Sequence, residues 1–272
     1  TFFTDRDGKM QLESLAQSGF DPLSRTCRFM LTEEAHHMFV GESGISRIVQ
    51  RTCEAMAGAG IDDPGDVEKI RALGVIDLPT IQKKVNLHFT LSLDLFGSEI
   101  STNAANAFNA GIKGRFRETR IEDDHQLIND TYPVMKLIDG AFTTTEENAL
   151  TALNMRLRDA YVEDCQKGVS RWNKVIAKSG VAFHITLPHQ AFNRAIGLFG
   201  RVSATPGGDI LDAGEWLRRR DEWLPSGDDS AFILSLINPE IEPGAFASWI
   251  AAPKHGINNM PGDFEYVKLD QS

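Results

Sequence analysis

Apolar residues recur at spacings of three, four and seven positions near the start of the chain. Phe2, Leu12 and Leu15 share one face of a helix in this register. Asp5 is the one charged residue that falls on the same face. The segment SGFDPL that follows is typical of a turn between helices, because Gly and Pro both interrupt helical structure. We therefore expect a helix over 1–18 that carries a single inward-facing acid.

A second and longer periodic pattern predicts a helix from about Leu23 to Ala57. Two glycines within it, Gly41 and Gly44, each cost about 1 kcal/mol relative to Ala in a helix. Close approach of another helix is a physical reason to keep them, so we expect tight packing at both positions. The stripe along one face of this helix comprises Cys27, Met30, Glu34, His37, Gly41 and Ile45.

The middle of the chain shows further helical patterns. We expect a short helix over 66–73 and one long helix over 81–111. Thr144 and Glu147 match a capping box, and the apolar periodicity after them predicts a helix that continues to about Lys178.

From Val181 onward the helical periodicity fades. This part contains several Gly and Pro, one alternating stretch (AFHITLP) and one convincing helix near 213–223. The sequence thus predicts a mainly all-α protein. In this interpretation residues 1–180 form part of a helical bundle, and residues 181–272 form an irregular extension packed on it, with little strand.

Composition argues against several classes of function. The 272 residues carry 28 Lys and Arg against 38 Asp and Glu, a net charge of -10, and such an acidic surface would repel a nucleic-acid backbone. No run of 18 apolar residues occurs, so we expect no membrane span. Three widely spaced cysteines without a CxxC pair favour free thiols and a cytoplasmic location. The opening TFFTDRDG lacks an initiator Met and the features of a signal peptide, which suggests a truncated N-terminus.

Glu-x-x-His pairs are the candidate chemistry of the chain. A lone pair has little weight, because chance alone produces such spacings, so its position in the fold must decide. Glu34 and His37 fall on one face of the second helix and point into the expected core. A buried carboxylate is costly unless it is paired, and a metal ion binds carboxylate and imidazole together, as in di-iron helical bundles. The three pairs are Glu33 with His36, Glu34 with His37, and Glu122 with His125, the last in a polar segment where the side chains can be solvated.

Asp5 is expected at the same height as Glu34. Asp5 precedes Gly19 by 14 residues and Glu34 follows Pro22 by 12. At about 1.5 Å per residue, both acids lie roughly 20 Å from the same turn. Asp5, Glu34 and His37 would then form half of a di-iron site. The alternatives remain a hydrogen-bonded core histidine and an Asp5 that faces solvent; weaker candidate ligands on the long helix are His88, Asp94 and Glu99.

Four stretches of the chain carry a close likeness to a known family. They are TDRDGKMQLESLAQSGFDPLSRTC (4–27), FMLTEEAHHMFVGESGISRIVQRTCE (29–54), RWNKVIAKSGVAFHITLPH (171–189) and FASWIAAPKHGINNMPGDFEYV (246–267). In these stretches the chain resembles the oxygenase components of benzoyl-CoA 2,3-epoxidases, the BoxB family. The resemblance implies a ferritin-like di-iron fold and an enzyme that uses dioxygen to epoxidise the ring of benzoyl-CoA. It also implies a separate reductase, which passes electrons from NADPH through flavin and iron–sulfur groups.

The resemblance assigns roles to individual residues. It maps Asp5, Glu34 and His37 onto ligands of two iron ions and leaves the other ligands on helices N-terminal to the present chain. Glu33 and His36, about 100° away around the helix, are then expected to support the ligands or the helix itself. The alternative hypothesis is a catalytically silent helical protein that binds acyl-CoA or acts as a scaffold.

Overall fold

The computed structural model describes residues 1–114, 129–238 and 246–253. Within these ranges the protein is mainly helical with one two-stranded sheet, which confirms the predicted fold class. Strands β1 (Thr131–Ile138) and β2 (Ala141–Asn148) pair antiparallel. None of the described helices is long and apolar enough to cross a membrane. The helices are α1 (Phe2–Leu15), α2 (Asp21–Ala59), α3 (Val67–Ala72), α4 (Leu78–Leu95), α5 (Thr102–Asn109), α6 (Leu153–Ser179), α7 (Ala213–Trp223) and α8 (Gly227–Leu236).

The β1–β2 hairpin occupies a segment for which the sequence pattern predicts a helix start. The capping box at Thr144 and Glu147 is wrong, because both residues lie in β2. Asp139 and Gly140 form the turn, with φ angles of 50° and 80°. An Asp-Gly pair with positive φ at both residues matches the twist of antiparallel strands, so this turn favours the hairpin.

The predicted long helix over 81–111 is two helices. α4 ends at Leu95, and Gly97 follows with a φ of 83°, a conformation that residues with a Cβ rarely adopt. Ser101 then caps α5, because its side chain accepts a hydrogen bond from Ala104 N–H at 3.2 Å. Apolar periodicity continues across the break, so it could not reveal where one helix ends.

Beyond residue 180 the structure agrees with the sequence in part. α7 has the bounds expected from the pattern at 213–223. α8 is an additional helix that the periodicity did not indicate, and the alternating stretch 182–188 forms no strand. The division into 1–180 and 181–272 stays a prediction.

Chain contacts group the protein into two compact units. Among the described residues, the first contains those within 1–41, 85–168 and 187–223, and the second contains those within 42–84, 169–186 and from 224 onward. The first unit has an aromatic core, in which the Tyr161 ring stacks on Phe89 at 5.7 Å between centroids. One buried ion pair of this unit joins Arg158 Nη1 to Glu99 Oε1 at 2.7 Å, and both side chains are at most 1% exposed.

Gly41 marks a close contact between α1 and α2. A Cβ built on Gly41 would lie 2.6 Å from Phe2 N, so no larger residue fits without a shift of the backbone. The expected tight packing is therefore confirmed at Gly41. At Gly44 it is wrong, because no described atom lies within 4 Å of a Cβ built there. The three cysteines are free, as predicted, and the structure places all three in buried positions.

Ion pairs and hydrogen bonds of one acid, Asp229, hold α8 in place within the second unit. Asp229 is buried, and its carboxylate accepts hydrogen bonds from Ser226 N–H at 2.9 Å, from Arg71 and from Lys83 at 3.2 Å. Burial alone would raise the pKa of Asp229. The hydrogen bonds from Ser226, Arg71 and Lys83 outweigh burial and hold that pKa well below its usual range.

Gly41→Ala is expected to destabilise the protein by about 1–3 kcal/mol, because the new methyl group must displace the backbone at Phe2. Gly44→Ala is the matched control on the same helix and should raise the free energy of unfolding by up to about 1 kcal/mol. Denaturant unfolding of both variants checks the contact. Equal changes in the free energy of unfolding of the two variants would contradict the close contact at Gly41.

Asp229→Asn should lower the free energy of unfolding at pH 7 by about 1–3 kcal/mol, because Arg71 and Lys83 lose a charged partner. The folded state depresses the pKa of this carboxyl, so the stabilisation is present above the unfolded pKa of about 4 and is lost as pH falls below it. Denaturant unfolding at pH 7 and pH 3 should show the difference from wild type shrinking at the lower pH. A difference that does not depend on pH would contradict the assignment.

Candidate metal centre

Asp5 lies in the first turn of α1, whereas Glu34 and His37 lie one turn apart on α2. Pro22 fits the first turn of α2 because the backbone N–H it lacks has no helical partner there. The Ser24 hydroxyl donates a hydrogen bond to Ala16 O at 2.6 Å, which fixes the turn between the two helices. The turn that joins the end of α1 to the start of α2 is thus defined by local contacts.

The three predicted ligands converge in space. One ligand atom each from Asp5, Glu34 and His37 can be chosen so that all three lie within 4.8 Å of one another. Glu34 Oε2 and His37 Nδ1 are 4.0 Å apart, too far for a hydrogen bond. The structure therefore brings together the group that the helix spacing indicated, and it leaves room between its members.

The carboxylates of this group have unpartnered oxygens. Asp5 Oδ2 and Glu34 Oε2 are buried atoms that accept no hydrogen bond within the described part of the chain. Unsatisfied buried anionic oxygens are costly, and a cation that binds both of them would remove the cost. Two carboxylates and an imidazole are a donor set that suits iron, so the residues present fit such an ion.

The environment of Glu34 favours binding of positive charge. Burial raises the pKa of Glu34, and the negative charge of Asp5 raises it further, while His37 opposes both effects. The Glu34 side chain is 18% exposed and that of His37 is 50% exposed. The group is thus closed on the side of α1 and open on the side of His37.

Arg6 and Lys9 hold α1 in the rotation that turns Asp5 towards α2. Arg6 is buried, and its Nε lies 3.2 Å from Asp164 Oδ2 on α6, with Lys9 Nζ at 3.8 Å from the same oxygen. The Arg6 guanidinium also donates to Phe2 O at 3.0 Å. Because Asp5 and Arg6 are adjacent on the helix, a fixed Arg6 fixes the direction of Asp5. The sequence pattern did not single out Arg6 or Asp164, since their partnership spans 158 positions of chain.

Other candidate ligands lie elsewhere. Glu33 and His36 are exposed on α2, so a supporting role for them stays a prediction. Asp94 and Glu99 are not available as ligands, because each forms ion pairs with buried arginines. These pairs join Asp94 to Arg194 at 2.6 Å, and Glu99 to Arg158 at 2.7 Å and Arg194 at 3.2 Å. Glu122 and His125 lie outside the described residues.

Asp7 is a buried acid that the pattern did not indicate. It follows Asp5 by two positions and therefore points to a different side of α1. Burial raises the pKa of Asp7 to about 6, opposed by a hydrogen bond from Gln11 and the positive charges of Lys113 and Arg158. Burial thus disfavours the charged form of Asp7, and this residue does not belong to the group of three.

α2 carries exposed apolar side chains at positions before and after the candidate ligands along the chain. Met30, expected to point inward, is 41% exposed. Such an apolar surface next to a half-open polar group is typical of a region that packs against further protein. The exposed residues are Phe29, Met30, Phe39 and Val40, at 69%, 41%, 70% and 47%.

Comparison with known proteins identifies a relative of the chain. No protein-family model matches the sequence. Over 270 residues, 99% of its length, the chain is 54% identical to Benzoyl-CoA oxygenase component B of Aromatoleum evansii. The chain is a homologue of that oxygenase component. The likeness seen in the four sequence stretches is thereby confirmed.

The match with Benzoyl-CoA oxygenase component B covers different shares of the two proteins. The chain spans 56% of the length of that relative, a little over half. The aligned region includes nearly all of the present chain, and therefore the helices that carry Asp5, Glu34 and His37.

Asp164→Asn is expected to lower the free energy of unfolding by about 1–3 kcal/mol, because the buried Arg6 loses its counter-charge. Glu163→Gln is the matched control: Glu163 is its neighbour on α6 and pairs with Lys167 in an exposed i,i+4 arrangement. Loss of that surface pair should cost at most about 0.5 kcal/mol. Chemical denaturation of both variants checks the prediction, and equal losses would show that Asp164 does not anchor α1.

Proposed function

We propose that this chain belongs to a di-iron oxygenase component that acts on benzoyl-CoA, and that Asp5, Glu34 and His37 are iron ligands. The observation that carries the proposal is the convergence of these side chains, with buried oxygens that accept no hydrogen bond from any described residue. The homology supports the substrate, because the relative is an oxygenase component named for benzoyl-CoA. The geometry supports the cofactor independently of that name.

Each ligand contributes a different property. Asp5 and Glu34 supply anionic oxygens, and His37 supplies a neutral nitrogen donor, a combination that suits iron in both the ferrous and the ferric state. Iron held there would supply the activation of dioxygen for insertion of one oxygen atom into the aromatic ring as a 2,3-epoxide. We expect the remaining ligands of a two-iron site outside the present chain, in the rest of the full-length protein.

The surroundings of the site must keep water away from the reaction. α1 covers the carboxylates of Asp5 and Glu34, whereas His37 and the apolar side chains Phe29 and Met30 are exposed in this chain. We expect further helices of the full-length protein to pack on this face and complete a ferritin-like bundle. Residues 1–180 then belong to that bundle, and residues 181–272 to an extension over it.

Electrons for the reaction come from a partner in this proposal. The designation "component B" of the relative supports at least one further component. We propose a reductase that accepts electrons from NADPH and passes them on through flavin and iron–sulfur groups. Three free, buried cysteines fit a reducing cytoplasm, where such a partner would operate.

A direct test supplies the full-length protein, loaded with Fe(II), with benzoyl-CoA, its reductase and NADPH under isotopically labelled dioxygen. Mass spectrometry should detect incorporation of one labelled oxygen atom into the acyl group, and omission of the reductase should prevent it. Tight binding of benzoyl-CoA without oxygen incorporation would contradict the proposal and favour a silent acyl-CoA-binding protein.

His37→Ala in the full-length protein is expected to remove iron from one of the two positions and to stop oxygenation, because the ion loses a ligand for which the described residues offer no replacement within the group. His125→Ala is the control, since His125 belongs to a Glu-x-x-His pair in a polar segment and should leave the iron content near wild type. Metal analysis of both purified variants decides between the pairs. Equal iron loss would reject the assignment of His37.

A further inference from the structure

Gly8 lies between the two candidate acids in space. It follows Asp5 by three positions on α1, so both residues face the same side of the helix. A Cβ built on Gly8 would lie 3.5 Å from Glu34 Oε1, 3.7 Å from Cδ and 3.9 Å from Oε2. The carboxylate of Glu34 therefore presents its whole width to the position where Gly8 has no side chain.

The backbone does not require a glycine at this position. Gly8 lies inside a regular helix, and it is not among the glycines with positive φ. Glycine is among the poorest helix formers, so its presence there has a cost in stability. Gly41 differs, because a Cβ there would meet the backbone of Phe2 at 2.6 Å. At Gly8 the three nearest atoms all belong to the carboxylate of one candidate ligand.

Metal binding requires the ligand atoms to move. In the structure Glu34 Oε2 and His37 Nδ1 are 4.0 Å apart. Zinc, a divalent transition metal, binds oxygen and nitrogen ligands at about 2.0–2.2 Å, which brings neighbouring ligand atoms to roughly 3 Å from each other. To bind one ion as neighbouring ligands, the Glu34 carboxylate or the His37 ring therefore has to shift or turn. A methyl group against one side of the carboxylate would restrict its movement.

We propose that Gly8 is a positioning residue of the metal centre: the absence of a side chain leaves the Glu34 carboxylate room to move into its metal-bound position. This inference rests on the proposed function, because it takes Glu34 to be a metal ligand. It adds a residue that binds no metal itself and acts only through the freedom of its neighbour. Gly8 thus serves the site, whereas the helix itself would be more stable with a residue that has a side chain.

Two substitutions separate this role from a structural one. Gly8→Ala should raise the Tm of the metal-free, full-length protein by about 1–3 °C, because Ala is the better helix former. The same variant should bind Co(II), used here as the probe ion, at least fivefold more weakly than wild type. Gly44→Ala on α2, with no described atom within 4 Å of its Cβ, should raise the Tm similarly and leave Co(II) affinity unchanged.

Anaerobic titration followed by the Co(II) absorption spectrum measures the affinities, with His37→Ala as the reference for a lost ligand. A higher Tm together with weaker binding in Gly8→Ala alone supports the inference, since a merely structural residue would not separate the two quantities. Wild-type affinity in Gly8→Ala, with binding lost in His37→Ala, would overturn the role of Gly8 only. Wild-type affinity in both variants would reject the metal centre and the inference with it.

Discussion

Two carboxylates, Asp5 and Glu34, face each other between α1 and α2 with buried oxygens that accept no hydrogen bond in the described chain. Burial raises the pKa of Glu34, and the negative charge of Asp5 raises it further. A folded protein tolerates two such neighbouring carboxylates when a cation binds both of them, or when their perturbed pKa values serve a function at the site. His37 adds a nitrogen donor on the same side, so the group has the composition of a metal site.

The surrounding structure holds these acids in place. Gly41 lets α1 approach α2 until Phe2 contacts the helix backbone, and no side chain would fit between them. The buried Arg6, anchored by Asp164, prevents α1 from rotating and turning Asp5 away. Gly8 leaves space beside Glu34. Packing therefore fixes the helices, while the carboxylate between them keeps freedom to respond to an ion.

Helical periodicity was sufficient to predict α1, α2 and the shared height of Asp5 and Glu34, because rise per residue and face depend on local geometry alone. It failed at residues 96–101, where Gly97 ends α4 while the apolar pattern continues. It also failed at Thr144 and Glu147, which match a capping box but lie in a strand after an Asp-Gly turn. The Arg6–Asp164 pair could not be predicted, since no local pattern reports a partner so distant along the chain.

X-ray diffraction from crystals of the iron-loaded, full-length protein, collected at the iron absorption edge, measures directly where iron binds. An anomalous difference peak within bonding distance of Asp5, Glu34 and His37 is the expected result. Iron that is present in the crystal but bound elsewhere, with the Asp5 and Glu34 carboxylates still unpartnered, would contradict the assignment of these residues as ligands.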